Sequence, residues 1–172
     1  MKVLAMIGSP RKKNTKKLVE RLFSDIKADK EIVYLSQMNI GLCCGNEACM
    51  ESGKCVKSDD FDLLADKMQN AQVLIFASPS YFNNVTALMK NFIDRCNVLC
   101  NNKAFEDKGK RAVLMAIGAD EKRHIIGTIT ALRNLCGGIY LDVLDELIIE
   151  SDDIEAKADE IRELGEKIDA CA

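Results

Sequence analysis

Residues 2–15 read KVLAMIGSPRKKNT. Val3 to Ile7 is an unbroken apolar run, and a strand that is apolar at every position is one buried on both faces. Gly8-Ser9-Pro10 ends it, because proline has no amide proton for a ladder. Beyond the basic residues, Leu18, Leu22 and Ile26 recur at helical spacing, with Val19 and Phe23 beside them. That spacing predicts an amphipathic helix over Thr15–Ala28. Strand, short polar loop and helix together make the opening of a βα unit.

The same alternation runs outward along the chain. Glu31–Ser36 reads as a short strand, followed by a long Gly/Cys/Asn-rich loop over 37–58. Ser58, Asp59 or Asp60 is placed to cap a helix with Phe61, Leu64, Ala65 and Met68 on one face. Gln72–Ala77 is the next strand. Asn84–Cys100 reads as one helix, and 101–109 as a polar connector. Arg111–Ile117 is a strand, and the helix marked by Ile125, Ile129, Leu132 and Cys136 is expected to end at Gly137-Gly138. Residues 139–149 hold a last strand. Ser151 or Asp152 is expected to cap a final helix carrying Ile154, Ala158, Ile161, Leu164 and Ile168. Five β-α units in one domain over 1–172 predict an α/β fold: a doubly wound, five-stranded parallel sheet of order 2-1-3-4-5.

Composition bounds the function. The chain of 172 residues is 48% hydrophobic and 30% charged, which is globular rather than disordered. No apolar run reaches the roughly 18 residues of a membrane span. Val3–Ile7 is shorter than a secretory core of roughly 7–15 residues, so a cytoplasmic location is expected. The net charge of −3 argues against a nucleic-acid partner, but it is unevenly spread. Arg11, Lys12, Lys13, Lys16 and Lys17 crowd the start of the first helix, which suits a small anionic ligand or is a solvated charge run. A single histidine, His124, rules out HExxH chemistry. It reads as a solvent-exposed residue opening the fourth helix. Of eight cysteines, Cys43, Cys44, Cys49 and Cys55 fall in one short stretch, which points to metal or redox chemistry in a reducing compartment. Cys96, Cys100 and Cys136 lie on apolar helical faces and read as buried structural thiols. Cys171 is expected at a mobile terminus.

A sheet of this order binds its ligand beyond the carboxyl ends of strands one and three. Both prolines of the chain fall there, in Gly8-Ser9-Pro10 and Ser78-Pro79-Ser80. The first loop lacks the dinucleotide and Walker fingerprints. It offers Ser9, Arg11, Asn14, Thr15 and the free amides of a helix start, groups that suit a terminal phosphate. A plain helix cap with incidental lysines is the other reading. The second loop, Ser78-Pro79-Ser80-Tyr81-Phe82-Asn83-Asn84, sets two aromatics among amides and hydroxyls. It suits a flat heteroaromatic ring with polar edges, or it is a packed helix start.

These two motifs, with the second continuing Val85-Thr86-Ala87-Leu88-Met89-Lys90-Asn91-Phe92-Ile93-Asp94-Arg95, resemble the NADPH-dependent FMN reductase superfamily. The cysteine loop makes the chain most similar to its iron–sulfur flavoprotein branch. The resemblance implies a flavodoxin-like fold that binds FMN non-covalently. By position, Ser9, Arg11, Asn14 and Thr15 would hold the phosphate. Pro79, Ser80, Tyr81, Phe82, Asn83 and Asn84 would border the isoalloxazine, and Gly118 would begin a loop at its other edge. The implied activity is oxidoreduction, with electrons from NAD(P)H or a protein donor passing through FMN to an acceptor; a non-enzymatic electron carrier is the alternative. Homodimers or homotetramers with flavin at a subunit interface are implied too. Two departures are visible. The family's phosphate loop has one more residue before the Asn-Thr pair, whereas Lys13 abuts Asn14. In the branch pattern Cys-x2-Cys-x2-Cys with a later fourth Cys, Cys43, Cys49 and Cys55 fill the first, third and fourth positions. Asn46 takes the second, and Cys44 is additional. The loop therefore leaves open a 4Fe-4S cluster, free thiols at a lost site, or zinc or a disulfide.

Overall fold

The computed structural model describes residues 1–119, 121–150 and 153–171. Strands β1 (Lys2–Ile7), β2 (Asp29–Tyr34), β3 (Val73–Pro79), β4 (Arg111–Ile117) and β5 (Asp142–Ile149) form one sheet, ordered β2-β1-β3-β4-β5. Every pairing is parallel. The connecting helices are α1 (Asn14–Asp25), α2 (Ala48–Ser52), α3 (Asp60–Asn70), α4 (Ala87–Arg95), α5 (Asn97–Asn101), α6 (Ile126–Gly138) and α7 (Ala158–Asp169).

Successive strand side chains point to opposite faces, and both faces are covered. Leu4, Met6, Leu74, Phe76 and Leu114 pack with residues of α3, α4 and α6. Val3, Ala5, Ile7, Val73, Ile75 and Met115 pack with α1 and α7. This double burial is why the strands carry no polar alternation. Among the described residues no helix is long and apolar enough to cross a membrane.

Several boundaries differ from the expectation. The second strand starts at Asp29 and yields to a 3-10 turn at Leu35–Gln37. Asp59, of the three candidates, caps α3: its carboxylate accepts the Phe61 amide at 3.1 Å. β3 extends through Pro79, whose missing amide is harmless at a strand's last residue. The single helix expected over 84–100 is two, α4 and α5, meeting at Cys96. It starts late because Asn84 belongs to a tight turn and Thr86 is the cap. Gly137 and Gly138 lie inside α6, and Tyr140, at φ 61°, makes the left-handed step instead. The 101–109 connector buries Phe105 completely. A 3-10 turn over 155–157 precedes α7, with the Asp153 carboxylate accepting the Ala156 amide at 3.1 Å. The caps expected at Ser151 and Asp152 lie outside the described residues.

Candidate functional site

At the carboxyl ends of β1, β3 and β4 lies a cavity of about 350 Å³. It gathers Ser9, Arg11, Asn14 and Thr15 from the first loop, Pro79, Ser80 and Tyr81 from the second, and Gly118 from the third. A contiguous cavity of about 530 Å³ shares Ser80 and Tyr81 and adds Phe82, Asn83 and His124. Asn84 is turned elsewhere: it lines a groove of about 600 Å³ between α4 and α6. His124 is exposed, as expected.

The first loop presents an uncapped helix. No side chain caps α1 at Lys13, and no acidic residue stands in its first turn. The Lys17 amide closes that turn on Lys13 at 3.0 Å, so the amides ahead of it keep their partial positive charge for a ligand. Thr15 is 3% exposed, and among the described residues no protein group pairs with its hydroxyl. Ser9 lines the same cavity and has a second role. Its hydroxyl donates to the Arg11 carbonyl at 2.7 Å and accepts the Arg11 amide at 3.2 Å, so it shapes the loop. The basic cluster divides too. Lys12 sits over the Tyr34 ring at 4.8 Å, and Lys16 pairs with Glu20 at 2.8 Å, which raises the Lys16 pKa. Arg11 and Lys13 remain at the cavity, where no carboxylate of the described residues joins them. Unspent amides, a free hydroxyl and two cations fit a phosphate monoester.

The second loop is a hairpin turn. Tyr81 and Asn84 exchange backbone hydrogen bonds at 2.9 and 3.1 Å, and Phe82 and Asn83 between them have φ of 51° and 55°. Two successive left-handed residues define a type I′ turn, which ordinarily takes Asn-Gly. Placing an aromatic residue there costs about 1–2 kcal/mol, and the Phe82 ring is fully exposed. Such strain persists only where the surroundings hold it. The Asn83 side-chain oxygen accepts the Gly127 amide at 2.8 Å. The Ser80 hydroxyl donates to the His124 carbonyl at 2.9 Å, and the Ser80 amide to Ile117 at 2.8 Å. Arg11 Nη2 donates to the Tyr81 hydroxyl at 3.1 Å, tying the first loop to the second.

Three supporting residues escaped the sequence reading. Thr86, 2% exposed, donates its hydroxyl to the Gly8 carbonyl and accepts the Met89 amide at 3.2 Å. It thus caps α4 and pins the first loop in one side chain. A threonine three residues before Met89, opening an apolar helical run, was the available signal. At Gly8 a Cβ would lie 2.6 Å from the Met89 Cβ, and at Gly127 one would lie 2.0 Å from the Asn83 carbonyl oxygen. Gly8 opens the Gly8-Ser9-Pro10 motif, whereas no local pattern marks Gly127.

The cysteine loop is held along α4 and α5. Cys43 and Cys44 are exposed. Cys49 accepts hydrogen bonds from the Asn97 and Asn101 carboxamides at 3.6 and 3.5 Å. Cys55 stands by Arg95, a buried side chain paired with Asp59 at 2.6 Å and with the Gly41 carbonyl at 3.0 Å. Burial opposes the Arg95 charge, but the Asp59 hydrogen bond and the Cys55 sulfur outweigh it and raise the guanidinium's pKa. Burial likewise opposes the Asp59 charge, and Arg95 with the Gly41 and Phe61 amides still lowers its carboxyl. The four thiols do not converge. Among the described residues no group of three or more His, Cys, Asp or Glu is placed to hold a metal ion. Cys96 and Cys136 are buried as expected, and burial pushes the Cys136 thiol up to about 12 and the Cys96 thiol well up. Cys100 is only partly buried, and the Cys171 thiol donates to the Lys167 carbonyl at 3.4 Å, at the end of α7.

Residues 1–150 match the family described as NADPH-dependent FMN reductase. The chain belongs to that family. An iron-sulfur flavoprotein of Methanocaldococcus jannaschii is 33% identical over 138 residues, covering 78% of this chain and 70% of the relative. An iron-sulfur flavoprotein of Archaeoglobus fulgidus is 41% identical over 98 residues, 55% of this chain and 48% of the relative. A second from the same organism is matched over 60% of its length, so the match spans about half to three-fifths of these two relatives. Among solved structures, an NAD(P)H:quinone oxidoreductase from Methanothermobacter marburgensis superposes with a TM-score of 0.74 at 16% identity, covering 98% of this chain and 96% of that one. A flavone reductase gives 0.74 at 20% identity, covering 96% and 60%. These likenesses establish the flavodoxin-like fold for this FMN reductase family member.

Proposed function

We propose that the chain binds FMN across the cavity and works as a flavin-dependent oxidoreductase, taking electrons from NAD(P)H or a protein donor. The observation that carries this reading is the pairing of an uncapped α1 start, with a free buried Thr15 hydroxyl, and a strained aromatic turn across one cavity. Thr15 and the first amides of α1 take the phosphate, and Arg11 and Lys13 neutralise it. Arg11 also holds Tyr81, so the phosphate end and the ring end are set by one side chain. Pro79, Ser80 and Tyr81 border the ring, Gly118 lies at its other edge, and Phe82 stands at the rim. Bound FMN supplies the hydride chemistry itself, and the protein supplies position and field. Hydride transfer draws on no protein acid or base, which agrees with a site lined by hydroxyls, amides and cations.

The same reading places Phe82 and Ile126, both exposed beside the site, against a second copy of the chain in a cytoplasmic homodimer or homotetramer. Light scattering of the FMN-loaded protein tests that assembly. The functional test is FMN titration followed by steady-state NAD(P)H oxidation with a quinone or dye acceptor. One FMN per chain with turnover supports the enzyme. Stoichiometric FMN that is reduced only by a protein donor assigns the carrier role. Folded protein that takes up no FMN refutes the reading.

A further inference from the structure

The cysteine loop is fastened to α4 and α5 by a row of protein hydrogen bonds. From α4, Asn91 donates to the Ile40 carbonyl at 2.8 Å, and Arg95 to the Gly41 carbonyl and the Asp59 carboxylate. From α5, Asn97 and Asn101 donate to the Cys49 sulfur. Just beyond α5, Asn102 donates to the Gly53 carbonyl. Gly53 itself has φ 67°, and a Cβ there would lie 2.5 Å from the Asn102 side-chain oxygen. The donors run from position 91 to 102, roughly 16 Å of helical rise. They reach the loop at both ends and in the middle.

This arrangement disagrees with a four-thiolate cluster, in which the cysteine sulfurs converge on one centre. Asn46 stands where the branch pattern has its second cysteine, and its oxygen is spent on the Ala48 amide at 3.3 Å. Cys49 lies beside Asn97 and Asn101 of α5, whereas Cys55 lies at the base of the loop beside Arg95. Cys43 borders the groove between α4 and α6. We infer that in this chain the hydrogen-bonded clasp from α4–α5 orders the cysteine loop in place of an iron–sulfur cluster. Arg95 closes the loop's base through one nitrogen, Nη1, which donates to both Asp59 and Gly41, while its buried Nε and Nη2 have no hydrogen-bond partner among the described residues.

The test is anaerobic purification, then incubation of the whole protein with ferrous iron and sulfide under reducing conditions. Iron, zinc, acid-labile sulfide and FMN are measured after gel filtration. Metal and sulfide well below one per chain are expected, with a visible spectrum that is flavin alone. Cys49→Ser should leave that spectrum unchanged, because serine also accepts the two carboxamides. Asn101→Ala should raise the rate of proteolytic cleavage within 42–56 severalfold, since it frees the loop. About four irons and four sulfides per chain, with absorbance lost in Cys49→Ser, would overturn the inference, as would stoichiometric zinc. Equal cleavage rates for Asn101→Ala and the unaltered chain would overturn the clasp. FMN content is scored separately: metal-free protein without FMN would refute the proposed function and leave this inference standing.

Discussion

Gly127→Ala is the sharpest probe of how the ring-bordering turn is held. An added Cβ would stand 2.0 Å from the Asn83 carbonyl oxygen, 2.9 Å from its side-chain oxygen and 3.0 Å from its Cγ. The first contact is with backbone, so no rotamer relieves it. The turn must retreat from α6 by about 1.4 Å to reach ordinary contact, and the 2.8 Å bond from the Gly127 amide to Asn83 weakens with it. Overpacking of this kind costs about 1–3 kcal/mol. If the retreat misplaces Tyr81 and Phe82, that energy appears as weaker FMN binding, roughly tenfold for each 1.4 kcal/mol. If the turn stays and strains, it appears as lost stability. Flavin fluorescence quenching reads the first, and urea unfolding of the apoprotein the second. Gly137→Ala is the internal control, because its Cβ meets open space within the same helix. It should leave FMN binding unchanged and stabilise the helix by up to about 1 kcal/mol. Gly127→Ala protein with wild-type FMN affinity and wild-type stability together would refute the account.

Thr15→Val should weaken FMN by about 1–3 kcal/mol, the range for a hydrogen bond to a charged group. Riboflavin, lacking the phosphate, should lose less; equal losses would move the phosphate elsewhere. Thr86→Ala removes a cap and a buried bond to Gly8, so urea unfolding should show a loss of about 2 kcal/mol. Thr86→Ser should recover most of it, and failure of that rescue would point to the lost methyl instead. Cys96 and Cys136 should resist a disulfide reagent at pH 8 in the folded chain, because burial raises both thiols. The folded Cys136 keeps its proton up to about 12 while the unfolded thiol releases it near 9. Its contribution is therefore intact below pH 9 and falls by about 1.4 kcal/mol per unit above it. A Cys136→Ala chain should show a flatter alkaline decline, and an identical decline would reject the assignment.

The sheet was legible because burial on both faces leaves a coarse mark, an apolar run with no alternation. Val3–Ile7 and Val73–Ala77 carry that mark, and the order 2-1-3-4-5 was the first expectation for a doubly wound sheet of five βα units. Helix boundaries were less legible, since hydrophobic spacing does not register hydroxyls. Val85 to Leu99 keeps a helical period without a break, yet Thr86 sets the start and Cys96 the division. Gly137-Gly138 looked like a stop, but neither needs a positive φ, and the turn falls to Tyr140. Phe105 was missed because one buried residue in a polar stretch has no period.

The site shows the same division between identity and connection. Most of the residues that meet at the cavity come from the two Ser-Pro loops, whereas their contacts depend on partners far along the chain. Ser9 was expected to meet the phosphate, and its hydroxyl also bonds the Arg11 backbone two residues away. Thr15 carries a hydroxyl that no described residue engages. Phe82 and Asn83 were read as ring contacts, and they are also a strained turn that only the opening of α6 holds in place. That support has an energetic consequence. A flexible loop would spend part of its binding energy on becoming ordered. Here Thr86 fixes the first loop through Gly8, Gly127 and His124 fix the second, and Arg11 joins the two. The strain of about 1–2 kcal/mol at Phe82 is thus met on folding rather than on binding, and the cavity is shaped before any flavin arrives.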